Sequence, residues 1–229
     1  ADTLSKYSDD VIESINRSAD KDTIVSLIAK HGDEAVEISA KSSSDTLRAI
    51  ANLADDKADD FFRTASKHGD DLVTAINKSG KIDDAVSFIT THSDDGVEIF
   101  LRHGDDAIAA VNACDAPYKA VQIIKNGGLQ YGDEAVQALK KSGDKAIEAL
   151  TKVPTKDCAV AIIRYDGAAK VISEHGDDAL KAIKNAENVK NVNSTIEAIS
   201  KRGDSALLAF EKAIPTKECT NLLIEYGDD

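Results

Sequence analysis

The sequence predicts an all-α fold, an α-solenoid or superhelix of about eighteen short helices with roughly three helices in each repeat of 35–39 residues. Three observations predict it. A Gly-Asp motif returns along the whole chain, segments of about ten residues between its copies carry apolar side chains at helical spacing, and the composition suits thin helices. No long linker interrupts this pattern, so we expect one helical-repeat domain over residues 1–229.

The composition supports closely spaced helices. Aromatic residues make up only 4% of the chain, Trp and Met are absent, and there are three prolines. The core must therefore be built from Ala, Val, Ile and Leu.

The recurring motif is clearest in RHGDDAIAAV at positions 102–111. Gly104 can take the left-handed backbone that ends one helix, and Asp105 can accept hydrogen bonds from the free amides of the next helix. Asp106 adds a negative charge at the positive end of the new helix dipole, and His103 lies in the last turn of the old helix. The motif is therefore predicted to end one helix and begin the next.

Copies of this junction motif occur throughout the chain. The predicted junction residues are His31, Gly32, Asp33, His68, Gly69, Asp70, His103, Gly104, Asp105, Gly132, Asp133, Gly143, Asp144, His175, Gly176, Asp177, Gly203 and Asp204. In two weaker copies, Ser8 and Ser93 stand in the glycine position. The residue before the glycine varies among His, Tyr, Ser and Arg, and a metal ligand or general base would not tolerate such exchange. We therefore interpret the motif as structural.

The segments between motifs follow the spacing of one helical face, as Ala107, Ile108 and Val111 illustrate. The period comes from two distances: His68 to His103 is 35 residues, and Gly104 to Gly143 is 39. Isolated helices of about ten residues are marginal in water, so each must be stabilised by its neighbours. Helices are predicted to begin near Asp9, Lys21, Asp33, Ser44, Lys57, Asp70, Ile82, Asp94, Asp105, Ala116, Asp133, Asp144, Thr155, Gly167, Asp177, Val192, Asp204 and Thr216.

The charge of the chain narrows the choice of partner. A formal net charge of -13 repels nucleic-acid phosphates and anionic membrane surfaces, so we expect no nucleic acid and favour a protein or peptide partner, basic or neutral. No apolar run approaches the roughly 18 residues of a membrane span, so we expect no direct membrane insertion. The chain ends on YGDD, the opening of another repeat, and we expect it to be a fragment of a longer protein.

Catalytic and metal sites are the weaker alternatives. One His and two Asp side chains could hold a divalent cation, but the motif copies fall at separate points along the chain and predict a row of junctions. The acid pairs Asp55-Asp56 and Asp94-Asp95 are interpreted as helix starts. We expect a non-catalytic protein with no catalytic residue, metal or cofactor, and keep a metal-dependent hydrolase as the weakest alternative. The five histidines also leave a pH-sensitive role open.

Two smaller patterns also give expectations. Cys114, Cys158 and Cys219 form no CxxC pair and are interpreted as small apolar side chains. Phe61 and Phe62 are adjacent, so one is expected to face inward and the other outward, where it would contact a partner, unless the helix is buried on both sides.

The predicted architecture resembles the helical-repeat superfamily that includes the HEAT, armadillo and three-helix Pumilio-type solenoids. The resemblance covers the whole chain but lies in architecture, since the motif residues of those families are missing. It implies a module for protein or peptide binding or scaffolding, with an extended concave surface. The HGD-rich motif also resembles helical stretches before the toxin domains of large secreted bacterial proteins, which implies a spacer, presentation or delivery segment.

The binding and spacer hypotheses differ in what they expect of the surface. A binding module should concentrate acidic or aromatic side chains on one edge, whereas a spacer should carry Lys, Asp, Ser and Asn without focus. The stretch KAIKNAENVKNVNST at positions 181–195 is unfocused. Both hypotheses stay open, with the binding module first.

Overall fold

The computed structural model describes Ile12, Ile15, Asn16 and residues 21–226, and this part of the chain is helical without strands. The all-α prediction is confirmed. The predicted helix start at Asp9 lies outside the described residues. The described helices are α1 (Lys21–His31), α2 (Asp33–Lys41), α3 (Ser44–Ala51), α4 (Asp55–Lys78), α5 (Ile82–His103), α6 (Asp105–Asn112), α7 (Pro117–Lys152), α8 (Lys156–Arg164), α9 (Ala168–His175), α10 (Asp177–Asn188), α11 (Val192–Arg202), α12 (Asp204–Lys212) and α13 (Lys217–Tyr226).

The predicted count of about eighteen helices is not confirmed, because the described residues form thirteen. Four predicted starts, Asp70, Asp94, Asp133 and Asp144, fall inside α4, α5 and α7. At these places the helix bends at one or a few non-helical residues and continues at once. We call each bend or short connection a joint, and each straight stretch between joints a helical segment.

Local sequence explains several helix starts. The hydroxyl of Ser43 accepts a hydrogen bond from the Thr46 amide at 3.2 Å and caps α3. Thr155 caps α8 in the same way, through the Cys158 amide at 3.2 Å. Pro117 opens α7, where the missing N–H costs nothing because the first amides of a helix have no partner within it.

The chain divides into two compact units, which we call the first unit (residues 1–108) and the second unit (residues 109–229). The core of the first unit contains Phe61 and Phe62, both fully buried, so the expectation that one of them faces outward is wrong. Their helix is covered on both sides. The core of the second unit contains aliphatic side chains such as Ile124, Leu139 and Ile162. The single domain over residues 1–229 stays a prediction.

Hydrogen bonds join several joints to the joint two helical segments further along the same unit. In the first unit, His68 contacts Asp94, 26 residues later. In the second unit, His175 contacts Asp204, 29 residues later. These contacts recur at the spacing of two helical segments, and the predicted solenoid with three helices per 35–39 residues is not confirmed.

In the part of the chain that the structure describes, no helix combines the length and apolarity needed to cross a membrane.

Candidate binding grooves

The junction glycines bend the chain by a positive φ angle. Six of the predicted positions have φ between 50° and 69° and ψ between -125° and -151°. This backbone is the mirror image of extended polyproline backbone and not the left-handed helical conformation that the motif predicts. The six residues are Gly32, Gly69, Gly104, Gly143, Gly176 and Gly203.

Gly104 shows how one residue serves two helices. Its N–H donates to the Phe100 carbonyl at 2.8 Å, and its own carbonyl accepts from the Ala107 amide at 3.1 Å. The last bond of α5 and the first bond of α6 thus meet on the same residue. The backbone of Gly104 therefore both ends one helix and begins the next, whereas the motif predicts that Gly104 ends a helix and Asp105 begins the next.

The predicted capping by the following aspartate is wrong for α2, α10 and α12, where glycine occupies the N-cap and no side chain caps the helix. The aspartate stands at the first helical residue, where a side chain no longer folds back over the free amides. Asp105 instead accepts from Ser79 Oγ at 2.5 Å and from the Gly80 amide at 2.9 Å, and Asp144 accepts from the Asp115 amide at 3.1 Å. These two carboxylates each connect their own joint to an earlier one.

Histidines and lysines before the joints make the same kind of contact. His31 Nδ1 lies 2.6 Å from Asp59 Oδ1, and Lys41 Nζ donates to Asp70 at 2.5 Å. The carboxylates of Asp70 and Glu37 raise the pKa of Lys41. The motif residues are therefore spread along each unit in pairs. Among the described residues, no three His, Cys, Asp or Glu side chains group so as to hold a metal ion.

Gly132 departs from the predicted pattern. The positive φ of this joint falls on Gly128, at 47°, and Tyr131 is also non-helical. A Cβ atom on Gly127 would lie 3.1 Å from the Cα atom of Gly132, so the two glycines let the chain approach itself closely. Close approach, rather than an unusual backbone angle, is the structural role of Gly132.

The first groove, of about 290 Å³, lies in the first unit between α1 and the joint that connects α3 to α4. Its floor is apolar and contains Leu27, Ile50 and Ala58, all buried. Asp22 and Asp55 lie on its rim. The sequence could not indicate this groove because its walls come from separate helices.

An ion pair spans the first groove. Lys30 Nζ, on α1, lies 3.2 Å from Asp55 Oδ1, on α4, and the two side chains are 56% and 74% exposed. An exposed pair of this kind is held weakly and exchanges readily with other charges. Asp55 is therefore accessible to a second cation.

The second groove, of about 310 Å³, lies in the second unit between α10 and α12. Buried Leu207 and Phe210 line it, and Asp178 and Glu211 lie on its rim. Lys181 pairs with Asp178 at 3.3 Å. The two grooves are matched in size, in apolar lining and in their two rim carboxylates.

A more polar cleft of about 450 Å³ lies near the end of α10. The Tyr165 hydroxyl donates to Glu187 Oε1 there at 2.9 Å, and burial together with this contact raises the pKa of Tyr165. After the end of α10, Lys190 has a φ of 55°. The Lys190 amide donates a hydrogen bond to the Glu187 carbonyl, and the Asn191 amide donates one to the Ala186 carbonyl. This is a Schellman motif, in which glycine is the usual residue at the position of Lys190.

The two units differ in charge. The first unit has 23 Asp and Glu against 12 Lys and Arg, a net charge of -11. The second has 18 against 16, a net charge of -2. The acidity of the chain is thus concentrated in the unit that carries the first groove. The stretch at 181–195, whose mixed polar side chains favour the spacer hypothesis, lies in the second unit.

The cysteines offer little chemistry. Cys114 and Cys158 are buried, as predicted, and burial raises the pKa of their thiols to about 11 and about 12. Such thiols stay protonated at neutral pH and are poor nucleophiles. Cys219 is partly exposed.

Comparison of the sequence with protein-family models, with curated proteins and with solved structures finds no match in any of the three.

Proposed function

We propose that this chain is a non-catalytic helical-repeat module that binds a protein or peptide partner, and that its first unit receives a segment bearing lysine or arginine. The observation that carries the proposal is the first groove, an apolar cleft with two rim carboxylates in a unit of net charge -11. The resemblance to HEAT and armadillo solenoids supports the same function.

The lining of the first groove suits a basic side chain. The methylenes of a lysine or arginine can lie against Ala51 and Leu53, the accessible apolar residues of the groove, while the cationic end meets Asp22 and Asp55 at the rim. The partner's cation competes with Lys30 for Asp55, which costs little because that ion pair is exposed. Affinity then depends on both apolar contact and charge.

The charge of the first unit acts before contact. A surface of one sign attracts an oppositely charged partner over roughly the Debye length, about 8–10 Å at ordinary salt concentrations. The second unit, close to neutral, exerts less attraction on the same partner. We therefore expect binding at the first unit and strong dependence on ionic strength.

The test measures binding of a fluorescent lysine-serine peptide to the full chain by anisotropy, at about 50 mM and about 300 mM salt. The double variant Asp22→Asn with Asp55→Asn should weaken binding roughly fivefold or more, since each exposed charge contributes a few tenths to about 1 kcal/mol. Lys30→Gln should strengthen it, because Asp55 loses its internal competitor. A glutamate-serine peptide should not bind.

The second groove supplies the matched control. Asp178→Asn with Glu211→Gln removes the same number of rim carboxylates and should leave the affinity within about twofold of the unmodified chain. Equal weakening by both double variants would mean that the peptide responds to net charge alone. The groove would then have no part in binding.

A second candidate function is the spacer, presentation or delivery segment. It is favoured by the hydrogen bonds that recur between joints in both units, 26 residues apart at His68 and 29 at His175, which need no partner. Absence of groove-dependent binding of either peptide would favour this candidate over the binding module.

A further inference from the structure

The joint at Ser93, in the middle of α5, is a bend without glycine. Ser93 has φ 49° and ψ -133°, the backbone conformation that Gly104 and Gly143 take at their joints. A Cβ atom makes this region unfavourable, so serine holds it only where the surrounding packing imposes it. The Ser93 joint is therefore a strained bend.

The side chain of His92 lies at this bend. Its ring centroid is 4.9 Å from that of Phe88, which is buried, and the two ring planes are inclined by 59°. Across the joint, a Cβ atom on Gly96 would come within 2.8 Å of the Cβ atom of His92. His92 is thus half-buried, with the Phe88 ring on one side and the Gly96 backbone close to its Cβ atom.

Burial disfavours a charge on this histidine. It lowers the pKa of His92 from the ordinary value of 6.5, and the negative charge of Asp95 acts in the opposite direction with a smaller effect. The helix α3 also packs against α5, and its charged residues Asp45 and Arg48 pair with each other at 3.1 Å. A protonated His92 is less stable in the closed bend than in water.

The charged groups that α4 brings to the joint act on Asp94. Lys67 Nζ donates to this carboxylate and His68 Nε2 lies 2.9 Å from it, and these contacts lower the pKa of Asp94. Asp94 therefore stays ionised at mildly acidic pH.

We propose that the Ser93 joint is an acid-sensitive hinge of the first unit, closed while His92 is neutral and opened when His92 takes up a proton. Opening the bend exposes to water the part of the imidazolium that the closed bend covers, and it also releases the strained backbone of Ser93. Stability of the closed bend is fully present above pH 6.5 and is lost as pH falls from there through the lower pKa of the folded state.

The experiment is hydrogen exchange of the full chain followed by mass spectrometry at about pH 7.5 and about pH 5, with rates corrected for intrinsic exchange. The readout is the protection of the amides of residues 94–100, which follow the bend. We expect protection to be at least about twofold lower at the acidic pH, because uptake of a proton by His92 favours the open bend.

Three variants separate the parts of the hinge. His92→Phe keeps a ring against Phe88 but cannot take up a proton, so its protection should be the same at both pH values. Ser93→Gly should raise protection at both pH values and keep their ratio. His175→Phe, at a joint of the second unit, is the matched control and should keep the ratio of the unmodified chain.

Equal protection of residues 94–100 at the acidic and the neutral pH in the unmodified chain would overturn the proposed hinge. So would a ratio that persists in both His92→Phe and His92→Gln, since the proton acceptor would then be another group. The glutamine variant serves if phenylalanine disturbs the fold, because it removes the titrating group with a smaller side chain.

Discussion

Some lysine and arginine side chains at the joints donate to different acceptors in the two units, although both units also have joints with carboxylate acceptors, such as Asp105 and Asp144. In the first unit, Lys41 donates to the carboxylate of Asp70 and Lys67 to that of Asp94. In the second unit, Lys152 donates to the backbone carbonyl of Glu174 at 3.0 Å. Arg202 likewise donates to carbonyls, those of Leu223 at 3.0 Å and Ile224 at 3.2 Å.

This difference means that a joint can be held together with or without adding a charge to the surface. A carboxylate acceptor adds a negative charge at a helix start, where the helix dipole favours it. A carbonyl acceptor near the end of a helix adds none, and a cation there satisfies backbone groups that the helix leaves open. A helical-repeat chain can therefore keep its joints and change its net charge from one unit to the next, as the values of -11 and -2 illustrate.

The largest expected effect compares a glycine joint from each unit. Gly143→Ala, in the second unit, combines a positive φ with a Cβ atom 2.6 Å from the Ala113 carbonyl oxygen, whereas Gly104→Ala, in the first, has a positive φ and open space. We expect losses of about 3 kcal/mol or more and about 1–2 kcal/mol in the free energy of unfolding, measured in urea. Equal losses would show that the chain at Ala113 moves aside.

The next effect tests the two kinds of acceptor. Lys152→Ala leaves the carbonyl of Glu174 without this donor and should cost about 1 kcal/mol in the free energy of unfolding, nearly independent of salt. Lys67→Ala removes a contact between exposed charges and should cost less, with a loss that shrinks as salt is added. Urea unfolding at low and high salt measures both. Matching salt dependence in the two variants would contradict the division into charged and uncharged acceptors.

The smallest effect concerns strain that the two units share. Ser93 in the first unit and Lys190 in the second are the described non-glycine residues with positive φ. Ser93→Gly and Lys190→Gly should each raise the free energy of unfolding by about 0.5–1 kcal/mol, since relief of strain exceeds the entropy that glycine adds to the unfolded chain. Similar gains would show that strain is local to the joint. A loss at Lys190 would mean that its side chain contributes to the polar cleft.

The positions of the joints could be predicted because glycine and aspartate mark them locally, as Gly104 and Asp105 do. The partners of the aspartates could not, because the donors to Asp105 are Ser79 and Gly80, which approach it only after folding. The spacing of the contacts between joints could not be predicted from the sequence either. Sequence distances between motif copies mix bent joints with longer connections, so they indicated three helices per repeat where the contacts follow two.

The grooves and the charge difference were missed for another reason. Asp22 and Asp55 lie on one rim only because α1 and α4 are neighbours in the fold. Phe62 could not be assigned to the core by adjacency to Phe61, since both faces of α4 are covered. The motif also drew attention to the histidines as a set, although only His92 lies next to a bend without glycine.

The single-residue bends have a consequence for how the chain can vary in length. At Gly32, Gly104 or Gly203 one residue completes the last hydrogen bond of one helix and offers the first acceptor to the next, so an inserted residue would break both. Connections such as residues 113–116 and 213–216 hold several residues outside the helices. Insertions and deletions among related chains should therefore collect in these connections and spare the glycine corners, which makes the corners reliable markers for aligning distant copies.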